Sequence, residues 1–429
     1  MKKFINVSLV LITNLCLLLS ACNAPKSEES TKEISKVVDQ STVDRIDSTL
    51  KSFVDAGQLA GVSALVYEKG EEVYFNTFGY SDREAGTPMS RNTIVLIYSM
   101  TKPLTGTALM TLYEDGAFQL DDPVSKYLPE FSDMQVYSGV DSSGNIMVEP
   151  LDRPITVRDL TRHTTGIINR TDVPGLGEKY GKLDIYNREG NLTEMAEKLS
   201  SIPLWFQPGT QWEYGTSVDM QALIVERISG KPFHEYLKEN VLDPLGMKET
   251  RYFVPEMDRD RLAANYRLGN DTLNRIPDEQ ALSFNTKQWP LKLGGWGLTS
   301  TLDDYMQFAQ MLVNEGQHGE TKILEPETVK LMATDHLTDS VKIRSFLENK
   351  GQVGFGIDFA VRLSPPASPE ENNGEVGEFF WDGAASTLFW VDPKNELTAV
   401  LFVQLFPYDQ IGLHKNFRDA VYGHYPFPN

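Results

Sequence analysis

Cysteine is nearly absent from this chain: 429 residues contain two, Cys16 and Cys22, and none follows them. An intramolecular disulfide, a cysteine nucleophile and a thiolate metal site are therefore excluded from everything beyond residue 22. Histidine is scarce as well. Six are scattered along the chain without a His-Glu-x-x-His pair, so no metal site is expected. A Gly-x-Ser-x-Gly elbow, a phosphate-binding P-loop and a dinucleotide fingerprint are all missing, which disfavours an α/β-hydrolase, an NTPase and a Rossmann enzyme. No cofactor is implied. Positive charge is also in deficit, with 40 Lys and Arg against 60 Asp and Glu and a formal net charge of −20. A nucleic-acid partner needs a basic surface, so none is expected. The mean charge does not constrain small substrates, because local charge can oppose it.

Long hydrophobic runs are confined to the N-terminus. Lys2 and Lys3 precede a mostly apolar stretch, Val7 to Leu19, which Asn14 interrupts. Leu19-Ser20-Ala21-Cys22 reads as a lipoprotein signal cut before Cys22, so residues 1–21 are expected to be removed and Cys22 to carry lipid. An ordinary secretory signal with an incidental cysteine is the alternative. Either way the product is an exported, cell-envelope protein, held at a bacterial membrane if Cys22 is lipidated. Residues 22–42 are rich in Ser, Glu and Lys and suit a flexible tether. Loss of the two leader lysines brings the mature charge to about −22, and the residues that remain can bury a large core without staples.

From residue 43 the hydrophobic pattern is that of an α+β protein. Val43, Ile46, Leu50 and Phe53 mark an amphipathic helix that Gly57 stops. Val62 to Tyr67 and Val73 to Phe78 are strand-like around a Glu-Lys-Gly-Glu turn, and Ser386 to Val391 with Leu397 to Leu405 suggest a second hairpin. A helix over Ile411 to Tyr425 closes the chain. Between these ends the pattern is helical. Helices are expected over Lys102 to Asp115, after Thr156, over Ser217 to Ile228, over Phe233 to Leu242, and after Thr301. One antiparallel sheet built from both chain ends (about 43–95 and 290–429), with a mainly helical insertion (about 96–289), fits this order within a single 43–429 domain. Polar stretches at 138–150, 168–190, 268–288 and 364–377 are expected to be long loops.

Ser99-Met100-Thr101-Lys102 is the segment with chemistry in it. Pro103 is tolerated only near a helix start, so a helix should begin around Ser99. Residues three apart share a face, which places the Lys102 amine beside the Ser99 hydroxyl. Serine becomes a nucleophile when a neighbouring base takes its proton. Lysine does this in its neutral form, which burial or a nearby cation favours. The helix N-terminus adds unpaired amides and partial positive charge at the same place.

The surrounding residues give this short motif its meaning. Leu96 to Gly106 (LIYSMTKPLTG), Leu112-Tyr-Glu-Asp-Gly116 and Leu120 to Pro129 resemble the active-site helix region of serine β-lactamases and related esterases. Val157 to Gly166, Trp205 to Gly209, Tyr214 to Asp219, Asp243 to Met247 and Gly294 to Thr301 follow in that family's order, so the resemblance extends over residues 43–425. It implies the β-lactamase/transpeptidase-like fold, with a site between its two parts. Tyr214 matches the tyrosine of the second family motif, whose phenol relays protons between nucleophile, lysine and leaving group. Thr216 stands where β-lactamases have Asn, and the Tyr214-x-x-Ser217-x-Asp219 form is closer to the esterases. Trp381-Asp382-Gly383 takes the place of the third motif, usually Lys-Thr-Gly, and resembles the Trp-Gly-Gly of family VIII carboxylesterases. By the same analogy the amides of Ser99 and Ala384 form the oxyanion hole, and Trp381, Asp382 and Gly383 contact substrate. Without the motif's lysine, a neutral ester or amide is favoured over a penicillin or a peptide terminus.

The expected activity is acyl transfer through a covalent acyl-enzyme on a small ester, amide or lactam. A β-lactamase or D,D-peptidase, an acyltransferase and a non-catalytic binding protein of the same fold are the rival readings. His163 invites a role as triad base, but it lies in a structural-looking helix-end motif and is expected to be a hydrogen-bonded structural residue.

Overall fold

The computed structural model describes residues 36–427. The expected leader, Cys22 and most of the tether lie outside that span. The first helix, α1 (Gln40–Asp55), begins earlier than its apolar spacing suggested, because the Asp39 side chain accepts from Thr42 N at 2.9 Å and caps it. Val37 and Val38 are already fixed, their amides donating to the Glu68 carboxylate at 2.9 and 3.1 Å. The expected tether boundary at 42 therefore moves back to Lys36.

Two strands follow, β1 (Gly61–Glu68) and β2 (Glu71–Asp82), with a short β3 (Thr87–Pro88). The chain then leaves the sheet through helix α2 (Thr101–Glu114), the capped turn α3 (Val157–Thr161) and helix α4 (Ser217–Ser229), and α5 (Leu302–Val313) brings it back. Strands β4 (Val353–Phe355), β5 (Ala360–Arg362), β6 (Phe379–Asp382), β7 (Leu388–Asp392) and β8 (Leu397–Phe402) complete the sheet, and α6 (Leu413–Tyr422) follows. The order is β4-β5-β6-β7-β8-β1-β2-β3, antiparallel throughout.

Chain ends meet in its middle, where β1 pairs with β8 from Ser63↔Phe402 to Glu68↔Leu397. Both strands are buried on nearly every residue, because α1 and α6 cover one face and α5 the other. The α+β architecture expected from both ends of the sequence is the one observed. Short polar motifs set the helix starts. Thr156 and Asp159 form a capping box, and the Thr301 side chain accepts from Asp304 N. Gly230 ends α4 with a left-handed φ of 70°.

The insertion is less purely helical than its sequence pattern. Two of the expected loops carry antiparallel hairpins, Gln135–Val140 with Ile146–Pro150 and Tyr266–Gly269 with Thr272–Arg275. Their strands are short and largely exposed, so they lack the apolar alternation that announces a half-buried strand. The helix expected through Leu242 is α-helical only over Phe233–Leu237 and turns into a π-helix over Lys238–Leu242.

Beneath the edge of the sheet, a charged triad replaces apolar packing. Glu378 Oε1 accepts from Arg362 Nε at 2.8 Å and from Arg418 Nη1 at 2.7 Å, with all three side chains fully buried. The Arg418 guanidinium lies 4.6 Å from the ring centroids of both Phe380 and Trp390. Removing the carboxylate strands two buried cations. Glu378→Ala is expected to cost about 3–5 kcal/mol in urea denaturation; a loss below about 1 kcal/mol would contradict this reading of the triad.

Candidate active site

A 3-10 turn, Tyr98–Met100, leads into α2 and carries Ser99. Tyr98 has a φ of 46°, a left-handed conformation that a bulky residue rarely adopts. Its side chain holds the bend: the hydroxyl donates to Asn265 Oδ1 at 3.2 Å, and the ring stands edge-on to Phe406 at 5.6 Å. From below, the Tyr305 hydroxyl on α5 donates to Met100 O at 2.7 Å. The nucleophile candidate is thus pinned on both sides and remains partly exposed.

Lys102 is one turn along and 4% exposed. Its Nζ lies 3.3 Å from Ser99 Oγ and donates to Gly295 O at 2.7 Å. It also sits 4.5 Å from the centre of the Tyr214 ring. Gly295 reaches Lys102 because residues 95–96 pair with 299–300, in the register Val95↔Ser300 and Leu96↔Thr299. A glycine is needed just before it. A Cβ on Gly294 would lie 2.5 Å from Val218 O and 2.8 Å from the Ala222 Cβ.

Asp219, on α4, completes this arrangement. Its Oδ1 accepts from Gly295 N at 2.8 Å, so one peptide unit is gripped by Asp219 at its amide and by Lys102 at its carbonyl. Burial pushes the Asp219 carboxyl up to about 6, against the opposing pull of the Gly295 amide and the Lys102 charge. The sequence offered Asp219 only as part of a motif style, and its grip on Gly295 was not legible there.

Trp381, at the third-motif position on β6, is 1% exposed, and its indole Nε1 donates to the Tyr214 hydroxyl at 3.2 Å. The ring expected to touch substrate is instead spent on the phenol and on Phe355, 5.4 Å away edge-on. Asp382 is likewise turned from the cleft. Its carboxylate is buried, accepts from Tyr408 Oη at 2.6 Å and is paired with Lys350. Asp382 therefore braces the strand rather than binding substrate, as is expected where an opposite charge is already in contact. Lys350, which sequence reasoning missed, lies behind Trp381 at 5.2 Å from its ring. Its charge is committed to Asp382.

Gly383 packs against the nucleophile segment. A Cβ there would stand 2.5 Å from Ile97 O, two residues before Ser99. Ala384 follows, an exposed residue in the otherwise buried turn between β6 and β7, so the two residues proposed for the oxyanion hole belong to segments in contact. Thr216, in the position of the β-lactamase Asn, is buried, and its hydroxyl has no hydrogen-bond partner among the described residues.

His163 departs from expectation. It is buried at a φ of 56°, and neither ring nitrogen has a hydrogen-bond partner among the described residues. Trp212, Tyr214 and Phe355 surround it, with centroids at 5.6, 4.9 and 5.5 Å. Burial, then the Lys102 charge, push its pKa well below the usual imidazole value. It is a neutral packing residue under the Tyr214 ring, held by aromatic contact and not by hydrogen bonds.

A family model described as Beta-lactamase matches residues 46–423. Protein Rv1367c of Mycobacterium tuberculosis is 34% identical over 370 residues, covering 85% of this chain and 90% of that protein. Esterase EstB of Burkholderia gladioli is 29% identical over 400 residues, covering 88% and 94%. Among solved structures, EstCE1, described as a hydrolase with promiscuous acyltransferase activity, superposes with a TM-score of 0.73 at 26% identity, covering 90% of this chain and all of that one.

The Asp219 carboxyl supplies a pH test. With its folded pKa at about 6 against a usual 3.8, the native state holds a proton there that the unfolded chain has released. On this group alone, stability falls as pH rises between those values. Activity should run the opposite way, falling as pH drops through about 6, because a protonated Asp219 grips the Gly295 amide less strongly and loosens the peptide unit that positions Lys102. In Asp219→Asn both inflections are expected to vanish; a wild-type kcat/KM profile flat from pH 5 to 8 would contradict the assignment.

Proposed function

Because this chain belongs to the beta-lactamase family, we propose that it is an esterase-type serine hydrolase working through a covalent acyl-enzyme on Ser99. One observation carries the reading: the Lys102 amine lies between Ser99 Oγ and Gly295 O, at 3.3 and 2.7 Å. A neutral amine with one N–H committed to the Gly295 carbonyl has its lone pair left for the serine proton.

In this mechanism Lys102 takes the Ser99 proton as Oγ attacks the carbonyl carbon of an ester. The developing oxyanion is held by the Ser99 and Ala384 amides. Tyr214 passes a proton to the departing alcohol oxygen and is reprotonated by Lys102, the carbon–oxygen bond breaks, and the acyl group stays on Ser99. Water then attacks the acyl-enzyme carbonyl and gives a proton to the Lys102–Tyr214 pair, which returns it to Ser99 Oγ as the acyl–oxygen bond breaks and the acid leaves. Trp381 serves by donating to Tyr214 Oη, which stabilises the phenol oxygen whenever it carries negative charge.

An ester is favoured over a penicillin or a peptide terminus because Trp381 stands where a free lysine would hold the carboxylate, and because Lys350 behind it is neutralised by Asp382. Esterase EstB is a relative of matching length. Transfer to an acceptor other than water is the second reading. It is favoured by the likeness to EstCE1 and is measured by the product ratio when an alcohol is added. Placement at a membrane through lipid on Cys22 belongs to the same proposal, and loss of detergent-phase partitioning in Cys22→Ser tests it.

Ser99→Ala is expected to lower turnover of 4-nitrophenyl esters by on the order of 10^3–10^6-fold with the fold intact. Retention of wild-type activity by that variant would end the proposal. Trp381→Phe keeps an aromatic ring but removes the indole donor. It should lower kcat by about tenfold with little change in KM, and an unchanged kcat would remove Trp381 from the mechanism.

A further inference from the structure

Next to the segment that carries the nucleophile is a cavity of about 200 Å³. Tyr98, the residue before Ser99, and Trp296, the residue after the Lys102 acceptor Gly295, both line it, so the cavity adjoins the two segments that carry the reacting atoms. Phe284 and Phe406 supply further aromatic wall, and Arg188 and Arg267 are the charged members of the lining. No acidic side chain among the described residues lines it.

Both arginines are held by rings. The Arg188 guanidinium lies 5.3 Å from the centre of Phe284 and 5.5 Å from that of Trp289, and its Nη1 donates to Ser283 Oγ at 2.8 Å. Arg267 lies 5.7 Å from the centre of Phe406, the ring that also braces Tyr98. Neither makes an ion pair among the described residues, whereas Arg91, Arg227, Arg251 and Arg275 all do. Stacking on a ring face engages a guanidinium without using its in-plane N–H donors. A planar fork aimed into an aromatic cavity and lacking a protein carboxylate is suited to a carboxylate brought by the ligand.

Resting on the acyl-hydrolase reading, we propose that the physiological ester carries a carboxylate away from its scissile bond, bound in this cavity by Arg188 and Arg267. Arg188 is half-buried and gives the larger part. Arg267 is exposed and contributes less, because water screens it. The cations lie on the Tyr98–Trp296 side of the nucleophile, not at the third-motif position, so the reacting carbonyl itself can belong to a neutral ester.

The test compares 4-nitrophenyl hydrogen adipate with its amide-ended analogue, which differ in charge and hardly in size. The wild-type protein should prefer the acid-ended ester by about tenfold in kcat/KM, mainly through KM. Arg188→Gln should bring the ratio close to one, Arg267→Gln should lower it about threefold, and 0.5 M salt should reduce it in the wild type. Absence of a wild-type preference, or an unchanged ratio in Arg188→Gln, overturns the proposal. Calorimetric binding of hexanoate against hexanamide reads the same arginines without chemistry. If neither ester is turned over while hexanoate still binds in an Arg188-dependent way, the acyl-hydrolase reading fails and the anion site stands. If hexanoate binding is indifferent to Arg188→Gln, the anion site fails whatever the enzyme does.

Discussion

A single amine organises this molecule's chemistry. Lys102 is buried at the start of a helix that is itself buried on nearly all sides, and its Nζ is shared between Ser99 Oγ and Gly295 O. Burying a lysine is costly unless its head is engaged. Here the engagement comes from two directions: the helix brings the serine, and a distant segment brings the carbonyl. The surrounding features fix one or other of those partners. Tyr305 holds Met100 O, Asn265 and Phe406 hold Tyr98, and Asp219 holds the Gly295 amide. A shift of one residue in the pairing of 95–96 with 299–300 would move Gly295 and leave the amine without an acceptor.

The second layer is aromatic. Tyr214 packs on Trp212, His163, Phe346 and Trp381, with centroids 4.9 to 5.9 Å away. This places its ring against the Lys102 amine and its hydroxyl against the Trp381 indole. A phenol fixed in this way loses little rotational entropy when it handles a proton, an advantage of preorganised groups over mobile ones. His163 contributes shape and no charge, because burial and the nearby Lys102 keep its imidazole neutral among the rings of Trp212, Tyr214 and Phe355.

Local chemistry explains which parts of this could be read from the sequence. The Ser99–Lys102 pairing follows from helical spacing and Pro103. The capping pairs at Thr156 and Thr301, the terminal strands and the stop at Gly230 follow from residue preferences that act over three or four positions. Contacts between residues far apart in the chain leave no such trace. Nothing in the segment around residue 350 announces that Lys350 will neutralise Asp382, and so Asp382 read as a substrate contact. Trp381 read as a wall of the pocket because its partner, Tyr214, is 167 positions away. The two hairpins of the insertion are exposed and short, and their pairing arises from turns more than from any apolar period.

The most direct test of the central claim is to trap the covalent intermediate. The protein is mixed with 4-nitrophenyl acetate, quenched in acid within the first turnovers and mapped by peptide mass spectrometry. The mechanism predicts one acetyl group on the peptide carrying Ser99, formed with a burst of nitrophenol and absent when Lys102→Ala is treated in the same way. Continued ester turnover with acetyl at another residue, or with no acetylated peptide and no burst, would contradict it.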